Sequence, residues 1–198
     1  MDGDKLDPEV RGDIADAVGT ALAKHGYARL TTKQVAAESE LSEAGLFYHC
    51  DTKDEMIAVF LAAARRQREA EFAANADRDP AARLRAACAV LLPAAEDERA
   101  RGLNVAVMEL MAHAPHNERL RGPLLALSET ALDELTAIIA DGIEQGIFRD
   151  VDPRSTAGFL KSAADGWTGF AIALGVEGMD AKLRDRMDAF VDSLLVED

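Results

Sequence analysis

Cysteine and the large aromatic residues are scarce in this sequence: two cysteines, one tryptophan and two tyrosines stand among 198 residues. Cysteines as distant as Cys50 and Cys88 exclude a disulfide framework. They read as small buried hydrophobes, with a redox-sensing role for either left open. Aromatic residues total 5%, β-branched residues are thinly spread and alanine is abundant, a mix that favours helix over sheet. No apolar run approaches the ~20 residues that cross a bilayer. The N-terminal stretch MDGDKLDPEV is acidic and lacks the apolar segment of a signal peptide, so a soluble, cytoplasmic chain is expected.

Signatures of catalysis and metal binding are missing too. There is no glycine-rich phosphate loop, no serine or cysteine nucleophile with supporting groups, and no clustered His/Cys spacing. His25, His49, His113 and His116 are dispersed, and Pro115 interrupts the last pair. The expectation is a binding protein, not an enzyme, with no metal and no cofactor.

What the sequence does contain is a series of helical patterns, punctuated by proline and glycine. Hydrophobic residues make up 48%, enough for a sizeable core. Asp7 and Pro8 open a first helix with a stripe at Val10, Ile14, Ala17, Val18, Ala21 and Leu22, and Gly26 stops it. Thr31-Thr32 cap a second helix over 33–39, and Ser42 caps a third running to His49. Thr52, with Glu55 three residues later, opens a fourth that runs to about Asn75. A fifth is expected from Asp79-Pro80 to about Ala95 and a sixth from Gly102 to His113. A seventh follows Pro115 and runs to about Gln145, with a bend expected near Gly122-Pro123. An eighth starts at Asp152-Pro153 and ends near Leu174; a ninth spans about 180–195. Nine helices and no convincing strand predict an all-α fold.

The segment Thr31 to Glu55, TTKQVAAESELSEAGLFYHCDTKDE, holds two short helices separated by a tight turn at Glu40-Leu41. Val35 and Ala36 face inward from the first. Leu41, Leu46 and Cys50 hold the second against it, leaving the second helix's outer face free to enter a DNA major groove. The small residues Ala44 and Gly45 let that face come close to bases. After its turn, the run Ser42, Ala44-Gly45, Leu46-Phe47-Tyr48-His49-Cys50 and Lys53 resembles the helix-turn-helix of TetR-type transcriptional regulators. Upstream, Gly26-Tyr27 and Thr31-Thr32 extend the resemblance, which covers about residues 8 to 61. Beyond that it is architectural, similar to the BetI-type subgroup.

The resemblance implies a repressor that binds a palindromic operator as a homodimer and is released by a small molecule. A DNA-binding domain would span residues 1–52 and a ligand-binding and dimerisation domain residues 53–198. Thr32 and Lys33 would meet phosphate; Ser42, Glu43, Ala44 and Gly45 would face base edges; Tyr48 and His49 would reach bases or backbone; and Lys53 would meet phosphate. Two departures stand out. Phe47 occupies a position where the family commonly has a phosphate-touching tyrosine, so Tyr48 takes over the contact or the contact is lost. Cys50 replaces a core phenylalanine, which should loosen the packing there. Glu43 either accepts from a cytosine amino group or is a solvated residue that repels phosphate.

In the remainder, the eighth helix is apolar almost all round and rich in Gly and Ala, which calls for burial on more than one side and, with the ninth, suits a dimer interface. An effector pocket is expected among helices four to eight from Cys88, Asn104, Met108, Glu109, Met111, His113, Asp165 and Trp167. If Glu109 and Asp165 both point inward, a cationic or amine-bearing effector is favoured. Two other readings stay open: a carrier of a hydrophobic molecule, and a regulator controlled by a protein partner.

Net charge is −14, with 36 acidic against 22 basic residues, a poor electrostatic footprint for a DNA binder. The acid is spread along the chain and arginine outnumbers lysine, as in proteins of salt-loving organisms. In molar salt, repulsion between such a body and DNA is screened within roughly 3 Å. Base contacts and shape then carry more of the specificity. The same self-repulsion opposes the compact state. Melting temperature should therefore climb as KCl is raised from low to molar concentration, and a flat profile in thermal denaturation would remove the halophilic reading.

Overall fold

Most helix starts among the described residues are marked by a side chain that accepts from the backbone ahead of it. The computed structural model describes residues 7–93, 97–174 and 180–196. Asp7 accepts from the Glu9 amide at 2.9 Å and opens α1 (Pro8–His25). Thr31 and Gln34 form a reciprocal capping box around α2 (Thr32–Ala36), and the Ser42 hydroxyl caps α3 (Glu43–His49). Thr52 accepts from the Glu55 amide at 3.2 Å at the head of α4 (Lys53–Ala73). Asp79 takes the amides of Ala81 and Ala82 at the start of α5 (Pro80–Leu91). Further on lie α6 (Glu98–His113), α7 (Glu118–Glu144), α8 (Pro153–Leu174) and α9 (Asp180–Asp192). Among the described residues there are nine α-helices, as expected, and no strand. A single antiparallel bridge joins Phe148 and Leu195.

Four helix ends differ from expectation. α2 stops at Ala36 and not at Ser39, because Ser39 turns its hydroxyl to Asp13 and takes the Leu41 amide at 2.9 Å, replacing the helical ladder with a side-chain turn. α6 begins at Glu98, ahead of the expected Gly102, because Asp97 caps it through the Ala100 amide at 2.9 Å. α9 ends at Asp192, short of Leu195, where the Val196 amide leaves the helix direction to bond the Ile147 carbonyl at 3.0 Å. α5 ends at Leu91; its expected end at Ala95 lies outside the described residues. α7 runs unbroken through Pro123.

The chain packs as two units. The first comprises residues 1–67 and 102–127. Its core joins Ile14, Val18 and Leu22 of α1 with Val35, Leu46, Met56, Ile57, Phe60 and Leu61, and adds Leu110, Leu120 and Leu124 from α6 and α7. The short helices α2 and α3 are thus held by chain far from them in sequence.

The second unit comprises residues 68–101 and 128–198. Leu84 and Cys88 of α5, Leu135 and Ile139 of α7, Leu160 and Ala164 of α8, and Met187 and Val191 of α9 form its core. Arg83 on α5 reaches two carboxylates of α7, Asp141 at 2.8 Å and Glu134 at 3.7 Å. α7 ends in a turn where Gly146 takes φ +70°, and its residue Gly142 accepts the amides of Ile147 and Phe148 at 2.8 and 3.0 Å. This folds the buried Phe148 ring back onto Gly142 so closely that a Cβ there would strike it. Gly142→Ala should therefore destabilise this unit by about 1–3 kcal/mol through overpacking. Chemical denaturation checks this; an unchanged midpoint would show that the ring moves aside freely.

Candidate nucleic-acid interface

A helix of seven residues has too little ladder to hold itself in water, so α3 depends on its surroundings. Leu46 is its fully buried residue, and Cys50 closes it by donating its backbone N–H to the Leu46 carbonyl at 2.8 Å. The turn that precedes it is fixed by one carboxylate. Asp13 of α1 accepts the Ser39 hydroxyl on one oxygen and the Glu40 amide, at 2.9 Å, on the other. Lys24 of α1 and Glu38 pair at 2.7 Å on the same side.

Opposite Leu46, α3 turns outward. Ser42, Glu43, Ala44, Phe47 and Tyr48 are exposed, and Tyr48 is 83% accessible. Its ring meets His49 edge-on at 5.0 Å between centroids. Glu43 accepts a hydrogen bond from the Thr32 hydroxyl at 3.1 Å, so α2 and α3 are joined by two of the expected DNA-facing residues. Lys33 is exposed on α2. A Cβ built on Gly45 would meet only ordinary contacts, 3.5 Å from Leu41 and Ser42, so packing does not demand a glycine there.

Lys53 is not free-standing. Its ammonium sits 4.3 Å from the centre of the Tyr27 ring and 3.4 Å from the Tyr27 carbonyl. A cation over an aromatic face is held electrostatically, and holding it in advance reduces the entropy lost on binding. Tyr27 is itself clamped. Gly26 before it takes φ +69°, which suits glycine, and a Cβ there would lie 2.8 Å from Glu109 Oε1. That oxygen accepts the Tyr27 amide at 2.7 Å, and the His113 ring lies 4.6 Å from the Tyr27 ring. Asn117 donates to the Tyr27 hydroxyl at 3.1 Å and to Asp54 at 3.0 Å.

The residues expected to line an effector pocket fall in both packing units. Asn104, Met108, Glu109, Met111 and His113 belong to the first, where Asn104 is buried and Met111 packs on the core. Glu109 and His113 contact Tyr27, a role that sequence periodicity could not reveal because the partners are 82 and 86 residues apart. Cys88, Asp165 and Trp167 belong to the second. There Asp165 is paired with Lys161, and Trp167 lies 5.8 Å from the Phe170 ring. Glu109 and Asp165, the carboxylates that would favour a cationic effector, therefore already have partners. Burial pushes the Cys88 thiol up to about 12, and burial with the nearby Glu55 and Asp51 pushes Cys50 up to about 11; both are free and protonated at neutral pH. Asp13, Asn117 and Arg119 were not foreseen. Arg119 brings a cation within 3.5 Å of the Thr52 hydroxyl from the start of α7. Among the described residues no helix is long and apolar enough to cross a membrane, and no group of three metal-ligating side chains occurs.

A buried-side, exposed-side α3 set behind a capped turn defines a helix-turn-helix DNA-binding protein. Residues 14–59 match the family of bacterial regulatory proteins of the tetR type, and residues 80–196 match the C-terminal region of BetI-type transcriptional repressors. The chain belongs to the TetR family of transcriptional regulators. Among solved structures, a TetR transcription regulator from Haloarcula marismortui is 29% identical, with 95% of this chain and 99% of that one aligned at a TM-score of 0.84. A transcriptional regulator from Saccharomonospora viridis in complex with choline is 22% identical over 97% and 100% of the two chains, with a TM-score of 0.80. AibR in complex with isovaleryl coenzyme A and operator DNA is 19% identical over 91% and 96%, with a TM-score of 0.66. Curated protein sequences give no significant match.

Proposed function

We propose that this regulator is a repressor that binds a palindromic operator as a homodimer and leaves it when a small molecule binds. DNA recognition is assigned to residues 1–52, and effector sensing and dimerisation to residues 53–198. The observation that carries the reading is the outer face of α3, with Tyr48 83% accessible on a helix whose opposite residue, Leu46, is fully buried. On this reading Thr32, Lys33 and Lys53 meet phosphates, while Ser42, Ala44 and Gly45 approach base edges. Glu43, held on one oxygen by Thr32, offers the other to a cytosine amino group. Phe47 and Tyr48 supply apolar contact, and His49 a hydrogen bond. Gly45, which packing does not require, suits close approach to a base edge.

Dimerisation is assigned to α8 and α9. α8 covers the core with Ala157, Leu160 and Ala164, yet Phe159, Phe170 and Leu174 on its other side are 59%, 49% and 62% exposed. Phe190 of α9 extends this apolar surface, its ring 5.1 Å from that of Phe159. A patch of this kind marks an interaction surface, and a two-fold axis through it gives the commonest oligomer. The two recognition helices would then stand roughly 34–36 Å apart, or a multiple. Choline and isovaleryl coenzyme A, bound by two proteins of this fold, carry opposite charge. Side chains, not the fold, therefore select the effector. The function is binding and not catalysis, and the setting is the cytoplasm.

Light scattering at high salt should return a dimer; monomer alone at working concentration would remove the dimer from the reading. For DNA binding, an operator is first selected from genomic DNA by retention on the protein. Failure to retain any specific fragment at any salt would favour a carrier. On that operator and on random DNA, Lys53→Ala should weaken binding about equally and lower the log–log salt slope by about one. Tyr48→Ala and His49→Ala should hurt operator binding more than random binding. An unchanged slope with altered base preference for Lys53→Ala would reverse these assignments.

A further inference from the structure

Between residues 30 and 60 the basic residues are Lys33 and Lys53, with His49 beside them. Few cations are therefore available to the recognition surface from the motif itself. Arg119 adds one from the first turn of α7. Its Nη1 lies 3.5 Å from Thr52 Oγ1, the hydroxyl that caps α4 immediately before Lys53, and the residue is exposed.

This placement is built into the packing of the first unit. Asn117 caps α7 by accepting the Arg119 amide at 3.0 Å. The same side chain donates to the Tyr27 hydroxyl and to Asp54, so the start of α7 is pinned to the start of α4 and to the ring that carries Lys53. Two nearby carboxylates have acceptor roles within the fold: Asp54 takes Asn117, and Glu55 takes the Asp51 amide at 2.7 Å. The Thr52 hydroxyl engages one guanidinium nitrogen at a long distance, which leaves most of the five-donor fork for another acceptor. A planar fork of this kind matches phosphate oxygens well.

We infer that Arg119 is a DNA-contacting residue, holding with Lys53 the same stretch of phosphate backbone. The inference rests on the reading of Lys53 as a phosphate ligand and extends it to a residue outside the helix-turn-helix. It means that part of the DNA-contacting charge comes from the α6–α7 corner, in the region assigned to effector sensing.

The test uses the full chain with the selected operator and random DNA, titrated with salt. Arg119→Ala should weaken binding to both several-fold and lower the log–log slope by about one; the double variant with Lys53→Ala should lower it by about two. Arg119→Lys should restore most of the slope, because charge is what the contact supplies. The melting temperature of the two single Arg119 variants should stay within error of the parent, as Arg119 is exposed. If Lys53→Ala lowers the slope and Arg119→Ala does not, the inference fails and the reading of Lys53 stands. If neither changes it, both fail. A loss with Arg119→Ala that Arg119→Lys does not restore, or that comes with a lowered melting temperature, would also overturn the contact.

Discussion

The recognition surface of this regulator depends on helices too short to be stable by themselves. α2 has five residues and α3 seven, and such segments gain less from their ladders than they lose in chain entropy. Their shape comes from side chains that accept orphan amides and from a few buried anchors. The Thr31–Gln34 box, the Ser42 cap and the Asp13 clamp on the turn set directions, while Val35, Leu46 and Cys50 hold the pair to α1 and α4. Each cap contributes about 1 kcal/mol, and each large buried side chain about 1.5–3 kcal/mol, so the motif is held by a small number of interactions.

That constraint bears on the acidic charge of the chain. Carboxylates in this unit are used as acceptors within the fold. Asp13 holds the turn, Glu38 pairs with Lys24, Glu43 takes the Thr32 hydroxyl, Asp54 takes Asn117, Glu55 takes the Asp51 amide and Glu109 takes the Tyr27 amide. The negative charge remains, but each of these carboxylates accepts from a donor of the fold. The cations Lys33, Lys53 and Arg119 are left on or near the recognition face.

Tyr27 links these observations. Its amide, ring, carbonyl and hydroxyl each have a partner, and those partners come from α4, α6 and the α6–α7 corner. The helix-turn-helix is therefore packed in one unit with residues 102–127. An effector that shifted α6 would act on the Tyr27 amide directly through Glu109. In the second unit Arg68 and Lys161 are buried; Lys161 pairs with Asp165, and burial lowers the affinity of Arg68 for its proton while Asp165 and Glu71 oppose that.

Much of this was legible from local chemistry. The order of nine helices followed from Asp-Pro and Thr/Ser starts, glycine stops and apolar spacing, because capping and periodicity act over a few residues. The outward side of α3, with Ala44 and Tyr48, followed from placing Leu46 inward, because residues two apart on a helix point to roughly opposite sides. The structure decided what required partners distant in the chain. The Asp13 clamp, 26 residues from Ser39, shortened α2. Asp97 lengthens α6 by capping it about one turn ahead of Gly102. Glu109 and His113 looked like pocket residues because they are polar on an apolar helix, yet their partner is Tyr27. Periodicity states which face of a helix is covered, and only tertiary packing decides what covers it.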